Sequence, residues 1–364
     1  MFQGYEGGER SIMDRELHDA AESGLIEIDG AEGEGGGQML RTSLALSLVT
    51  RRAFRLRNIR ARRSSPGLRP QHLASVRAAA VIGQAHVVGD RLGSTDLAFT
   101  PGKVCPGRYR FPIGTAGATS LLLQAIYLPL LRCTEPSDLL LEGGTHVRAS
   151  PSFHYLMTTW SAYLTLLGAE VRLTMHRPGF YPRGGGCLQA TIAPCPRIRP
   201  LQLLERGQIE RLDGTSAVAG LPQEIANRQA RRAESRLQRL GLRSSIQIET
   251  WEGGPGTMLA LYARCSPVSS TFVGLGERGK PAERVADEAV DALTVYLERA
   301  PAALEPHAAD QIVLPLALAE GASEFSVSEV TLHLRTNLDV IAQFVPRRFV
   351  CEGELGQPGR VCIE

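Results

Sequence analysis

No uninterrupted apolar run in the 364-residue chain reaches the roughly eighteen residues a membrane-spanning helix needs. The first 24 residues, MFQGYEGGERSIMDRELHDAAESG, lack the apolar centre of a secretory signal and read as a poorly ordered extension. Seven cysteines, an odd number without a CxxC pair, argue against a disulfide framework and a structural zinc site. A reducing, cytoplasmic setting fits that usage. Familiar nucleotide signatures are missing too: the main glycine cluster has neither GxGxxG spacing nor the Lys-Ser/Thr pair of a Walker loop.

What is present is ordinary globular material, 43% hydrophobic and 21% charged, long enough for two domains. The densest feature is DGAEGEGGGQMLRT (29–42), with five glycines interleaved with Glu32 and Glu34. Alternating Leu25–Ile28 predicts a strand before it; Met39, Leu40, Leu44, Leu46 and Leu48 predict a helix after it. A strand, a glycine turn and a helix start gather backbone N–H groups around one concave spot. Such a turn can also serve only to pack a helix on a sheet. Glu34, a possible metal ligand, and Arg41, a fork for phosphate, add chemistry to the packing.

Net charge is only +2, yet nine arginines and no acid lie between Arg51 and Arg77. That block favours a polyanion, because each neutralised phosphate releases counterions; a solvated basic face is the plainer alternative. Strands, a glycine-rich turn and a helix then recur about every 60–80 residues, longer than most solenoid repeats. The expected copies include a helix over 120–131 and another over 153–167. The last copy is split, with a helix over 309–319 and strands over 325–334. The intervening segment has its own alternation of strands and helices and reads as an insertion. Its basic helix, 227–240, carries Arg228, Arg231, Arg232, Arg236 and Arg239, which offer either a nucleic-acid surface or a solvated face.

Six ordered blocks, DGAEGEGGGQMLR (29–41), IRARRSSPGLRPQH (59–72), LEGGTH (141–146), GFYPRGGG (179–186), HAADQIVLP (307–315) and VTLHLRTN (330–337), together resemble the RNA 3′-terminal phosphate cyclase family. The resemblance runs from Leu25 to the C-terminus. It implies an α/β (α+β) fold: a large domain of three repeated sheet-plus-two-helix units over 25–204 and 304–364, interrupted by a smaller α/β domain over 205–303. The implied reaction is ATP-dependent conversion of an RNA 3′-phosphate to a 2′,3′-cyclic phosphate, through a covalent histidyl-AMP and an RNA adenylate. The implied partners are ATP, an RNA with a 3′-phosphate end and a divalent metal, Mg²⁺ or Mn²⁺.

Residue by residue, His333 matches the nucleophile, and the Leu332–His333–Leu334 alternation reads as a strand. Neutral imidazole is a competent nucleophile near pH 7. Glu34 matches a metal position; Arg41, Arg60 and Gln71 match phosphate or RNA contacts. Gln124, an amide on an apolar helix that must find a partner, matches a nucleotide contact. Pro151, His307, Asp310 and Gln311 match an adenine slot, where histidine stands at 307 in place of the family's usual tyrosine. Pro178 likewise departs from the basic residue usual before GFYP, with Arg177 adjacent.

Two rivals differ in class. A non-catalytic cyclase-like protein that binds RNA in ribosomal RNA maturation lacks the nucleophilic histidine, so His333 speaks against it. An enolpyruvyl transferase shares repeated units but not the six blocks.

Overall fold

The computed structural model describes residues 24–299 and 301–364; the extension expected over 1–24 lies almost wholly outside them. Four sheets, each of four strands, account for every strand among the described residues. Three share one topology. In the first unit β1 (Ile26–Asp29), α1 (Gly37–Thr50), β2 (Phe54–Arg57), α2 (Pro70–Gly83), β3 (His86–Val88) and β4 (Leu97–Thr100) give strand order β1-β2-β4-β3, with β1 parallel to β2.

The second unit repeats that path. It comprises β5 (Arg108–Pro112), α3 (Thr119–Leu131), β6 (Ser137–Gly143), α4 (153–166, with a π-helical turn at Leu156–Trp160), β7 (Val171–Arg177) and β8 (Gly186–Ile192). Its order is β5-β6-β8-β7, again with the first pair parallel. In the third unit β9 (Gln202–Leu203) is separated by a long excursion from α7 (Pro306–Leu316), β14 (Ser323–Val327), α8 (Leu332–Phe344), β15 (Phe349–Glu352) and β16 (Gly359–Ile363). There β14 pairs with β9 in parallel and with β16 antiparallel.

The helices meet in the middle, and the sheets lie outside them. α3, TSLLLQAIYLPLL, is apolar on all sides, as a helix enclosed by other helices must be, and every residue but Gln124 is buried. One continuous hydrophobic cluster runs through all three units.

The excursion forms a fourth sheet-and-two-helix layer. It holds β10 (Ile209–Ala219), α5 (Glu224–Arg239), β11 (Ser245–Trp251), β12 (Gly256–Cys265), β13 (Ser269–Leu275) and α6 (Ala282–Glu298), ordered β11-β10-β12-β13. Its apolar clusters are separate from the main one. Three of the five arginines of α5 face acids of α6, Arg228 pairing with Glu283, Arg232 with Asp287, and Arg236 with Asp287 and Asp291, while Arg231 pairs with Glu224 on α5 itself.

A polar relay within the second unit ends on a ring stacked against Trp251 of this layer. Gly179 N donates to Thr145 Oγ1 at 2.8 Å, and that hydroxyl is hydrogen-bonded to His146 Nδ1 at 2.8 Å. His146 Nε2 in turn lies 2.9 Å from His154 Nδ1. The two rings stack on Phe180 and Trp251 respectively.

Two elements differ from the expectation. The helix expected over 309–319 begins at Pro306, because the Glu305 carboxylate accepts from His307 N and Ala308 N and caps it there. His333 lies on a helix, not a strand. Thr331 Oγ1 accepts from Leu334 N at 3.0 Å and starts α8 at Leu332. Buried Leu334, Leu338 and Ile341 follow at spacings of four and three, whereas Leu332 is exposed.

Candidate active site

The first glycine stretch turns between β1 and α1. Gly33 and Gly35 adopt φ of 53° and 61°, the left-handed region where a Cβ is strained. The turn is tied to α8, since Glu34 N donates to Thr336 Oγ1 at 3.0 Å. α1 then starts at Gly37 with Gly36 as an N-cap that supplies no side-chain acceptor. Its first N–H groups keep the positive end of the helix dipole open for an anion. Arg41, one turn in, is half-buried, with its Nε inside. Desolvation pulls its pKa down to about 10, against the pull of Glu34, so it stays a cation at neutral pH. Its Nε has no hydrogen-bond partner.

His333 stands at the start of α8, facing this turn. Its Nδ1 lies 2.7 Å from Gln38 Oε1 and 3.2 Å from Glu34 Oε2. Both neighbours are acceptors, so in the neutral ring Nδ1 carries the proton and Nε2 keeps its lone pair. The hydrogen bond to Glu34 raises the His333 pKa above its ordinary value, with partial burial opposing. Glu34, also paired with Arg63, is held below the usual carboxylate range despite burial, by His333 and then by Arg63 and Arg41.

Beside this dyad a small cleft is lined by Gln38, Arg41, Gln124, Tyr127, Asp310 and Gln311, among others. Asp310 is raised to about 7, because burial outweighs His333, the hydroxyl of Thr331 and His307. Thr331 Oγ1 donates to Asp310 Oδ1 at 3.0 Å and caps α8, coupling this carboxyl to the helix that carries His333. Asn337 Nδ2 donates to Asp310 O at 2.8 Å, and Thr42 Oγ1 donates to Asn337 Oδ1 at 2.6 Å. Polar links thus clamp α1, α7 and α8 together.

The structure therefore brings Glu34, Arg41 and His333 into one cluster and puts Gln124, Asp310 and Gln311 along the adjoining cleft. Pro151 and His307 are not among the residues lining that cleft: Pro151 precedes the Ser152 cap of α4, and His307 is exposed on the first turn of α7. Arg60 turns into its own loop, donating to Ser65 O at 2.7 Å and Gly67 O at 3.0 Å. Gln71 accepts from Ala118 N at 3.4 Å and ties the first unit to the second glycine turn.

Among the described residues no group of three or more His, Cys, Asp or Glu could hold a metal ion. Glu34 alone suits a cation that takes most ligands from substrate phosphates and water, as Mg²⁺ does; its Oε2 is buried, with His333 Nδ1 3.2 Å away. Gln38, Arg63, His72, Tyr127 and Asn337 carry no signal in the apolar periodicity. Gln38, Arg63, His72 and Asn337 stand in the sequence only as polar members of the blocks 29–41, 59–72 and 330–337.

The profile of the family described as RNA 3′-terminal phosphate cyclase matches residues 32–351. A protein of that name from Caldivirga maquilingensis is 44% identical over 332 residues, covering 88% of this chain and 93% of its own. Another, from Ralstonia nicotianae, is 43% identical over 330 residues, covering 90% and 94%. A solved structure, the enolpyruvyl transferase NikO from Streptomyces tendae, is 11% identical with a TM-score of 0.25, covering 93% of this chain and 81% of that one. A likeness at that level carries no argument.

Proposed function

The chain belongs to the RNA 3′-terminal phosphate cyclase family, and from that premise we propose that it is an ATP-dependent cyclase working through a covalent histidyl-AMP. In the first step His333 Nε2 attacks the α-phosphorus of ATP; the N–P bond forms as the bond to pyrophosphate breaks. An oxygen of the RNA 3′-phosphate next attacks the same phosphorus and frees the imidazole. The neighbouring 2′-OH, losing its proton, then attacks the 3′-phosphorus; AMP leaves and the 2′,3′-cyclic phosphate remains.

One observation carries the first step: Nδ1 is engaged by acceptors on the opposite side of the ring, so the Nε2 lone pair is the free one. Arg41 and the open α1 N-terminus supply positive potential for a polyphosphate and for charge developing at phosphorus. Gln124, Asp310 and Gln311 along the cleft serve the nucleotide, and Pro151 and His307 border the adenine on its outer side. Gln71 and Arg60 shape the approach for the RNA end. A divalent cation held by Glu34 and phosphate oxygens would, when bound, supply Lewis acidity to the reacting phosphate.

The β10–β13 layer with α5 and α6 acts as a domain inserted into the third unit. Seven unpaired thiols favour a cytoplasmic setting. Among the described residues no helix is long and apolar enough to cross a membrane.

The test is incubation with ATP labelled at the α-phosphate, then denaturing electrophoresis. The expected result is acid-labile, base-stable label on the protein, lost in His333→Ala and kept in His307→Ala. Label persisting in His333→Ala overturns the assignment. An RNA ending in a 2′-deoxy-3′-phosphate is expected to accumulate adenylate without cyclising.

A further inference from the structure

His72 occupies the third position of α2 and is 5% exposed. Its ring reaches the first turn of α1: a Cβ placed on Gly37 would meet His72 Nε2 at 2.5 Å and Arg41 Nη1 at 3.0 Å. A neutral ring and a guanidinium thus converge on one helix N-terminus.

The tautomer is set from behind. Arg69 N donates to His72 Nδ1 at 3.2 Å, and a backbone N–H can only donate. Nδ1 therefore keeps its lone pair, and the ring proton is on Nε2. Burial, reinforced by Arg41, Arg60 and Arg69, lowers the pKa to about 3, so the ring stays uncharged across the working range. Among the described residues no acceptor takes the Nε2–H. Arg41 beside it also has an unpartnered buried Nε. Two donors without protein acceptors, the Arg41 Nε buried and the His72 Nε2 beside it, stand next to open helix N–H groups and leave room for an oxyanion.

We propose that His72 contacts substrate: its Nε2–H donates to a phosphoryl oxygen held between Arg41 and the N-terminus of α1. A neutral donor is suited to this place. It stabilises the oxyanion without giving up its proton, so the oxygen keeps its charge, while Arg41 provides the cation. The identity of the phosphate, that of ATP or the 3′-phosphate of RNA, rests on the cyclase reading, and the test separates the two sources.

The full chain, labelled with ¹⁵N, is observed at its imidazole nitrogens near pH 7. His72 is expected as the Nε2–H tautomer, its proton moving downfield on addition of inorganic pyrophosphate, of cytidine 3′-monophosphate, or of both. A response to pyrophosphate alone assigns the contact to the nucleotide's phosphates; a response to the 3′-nucleotide alone assigns it to the RNA end. An Nδ1–H tautomer, or no response to either ligand, overturns the proposal. In activity, His72→Leu is expected to lose on the order of 10–100-fold in the affected step, with His72→Gln recovering part of it through its amide N–H. A folded His72→Leu protein with unchanged KM and rate in both steps also overturns it. Absence of any histidyl-AMP in the unsubstituted protein would sink the cyclase reading and leave the pyrophosphate test standing.

Discussion

His333 Nδ1 lies 3.2 Å from Glu34 Oε2, although the two residues stand near opposite ends of the described chain. The contact exists because the first and third repeated units pack α1 against α8. A carboxylate on Nδ1 orients the ring, selects its tautomer and leaves the Nε2 lone pair free, as the proposed attack requires. The same carboxylate also favours the protonated ring, which cannot attack.

That tension predicts a pH effect. Glu34 is the leading cause of the raised His333 pKa. In Glu34→Gln the ring is therefore expected to titrate at lower pH than in the unsubstituted protein. An NMR titration of His333 without nucleotide or metal measures this; an unchanged or higher value contradicts the dyad.

Asp310 gives a prediction about stability. Its folded pKa, about 7, lies above the unfolded value of 3.8. Well below pH 3.8 the carboxyl is protonated in both states. As pH rises toward 7 the unfolded chain gains by ionising while the buried group resists, so stability falls. Asp310→Asn removes that dependence while its carbonyl can still accept from Thr331. Denaturant unfolding is expected to show the variant gaining on the unsubstituted protein between pH 4 and 7, by up to about 4 kcal/mol. A pH-independent gap would contradict it.

The histidine relay predicts the opposite slope. Burial lowers the His154 pKa to about 4. Its contribution is complete above the unfolded pKa of about 6.5 and is lost as pH falls toward 4. At pH 5 the loss is about 2 kcal/mol. His154→Gln is expected to be less stable at pH 7 but to close much of that gap at pH 5. Trp251, stacked on the ring at 5.5 Å between centroids, reports the transition by fluorescence.

Gly37→Ala separates site from scaffold. Alanine suits a helix better by about 0.5–1 kcal/mol, yet its Cβ enters the space of His72 Nε2 and Arg41 Nη1. The expected outcome is a retained circular dichroism spectrum with at least about tenfold weaker pyrophosphate binding by calorimetry, the scale of one lost charged contact. Unchanged binding would place the phosphate elsewhere.

The repeated units were legible because each is announced by its own apolar pattern and glycine turn. The stretch at 330–337 misled for a local reason: Leu332–His333–Leu334 alternates like a strand, and only the Thr331 cap and the burial of Leu338 and Ile341 make it a helix. Arg228, Arg232 and Arg236 of α5 could not be assigned from their own segment, since the acids that pair with them lie on α6. His72 and Asn337 stayed silent because apolar periodicity records what a helix buries against oil-like neighbours, not which polar atoms meet where helices join.

From its residues alone the chain settles which chemical groups are present, how the backbone alternates between strand and helix, and where glycine must allow a turn, since these depend on neighbours close in sequence. Which imidazole nitrogen is free, which arginine has a desolvated guanidinium and which carboxyl is pushed toward neutrality were decided by the packing of α1, α2, α7 and α8. Those properties come from desolvation and contact over a few ångströms between groups far apart in the chain, and no local pattern encodes that distance.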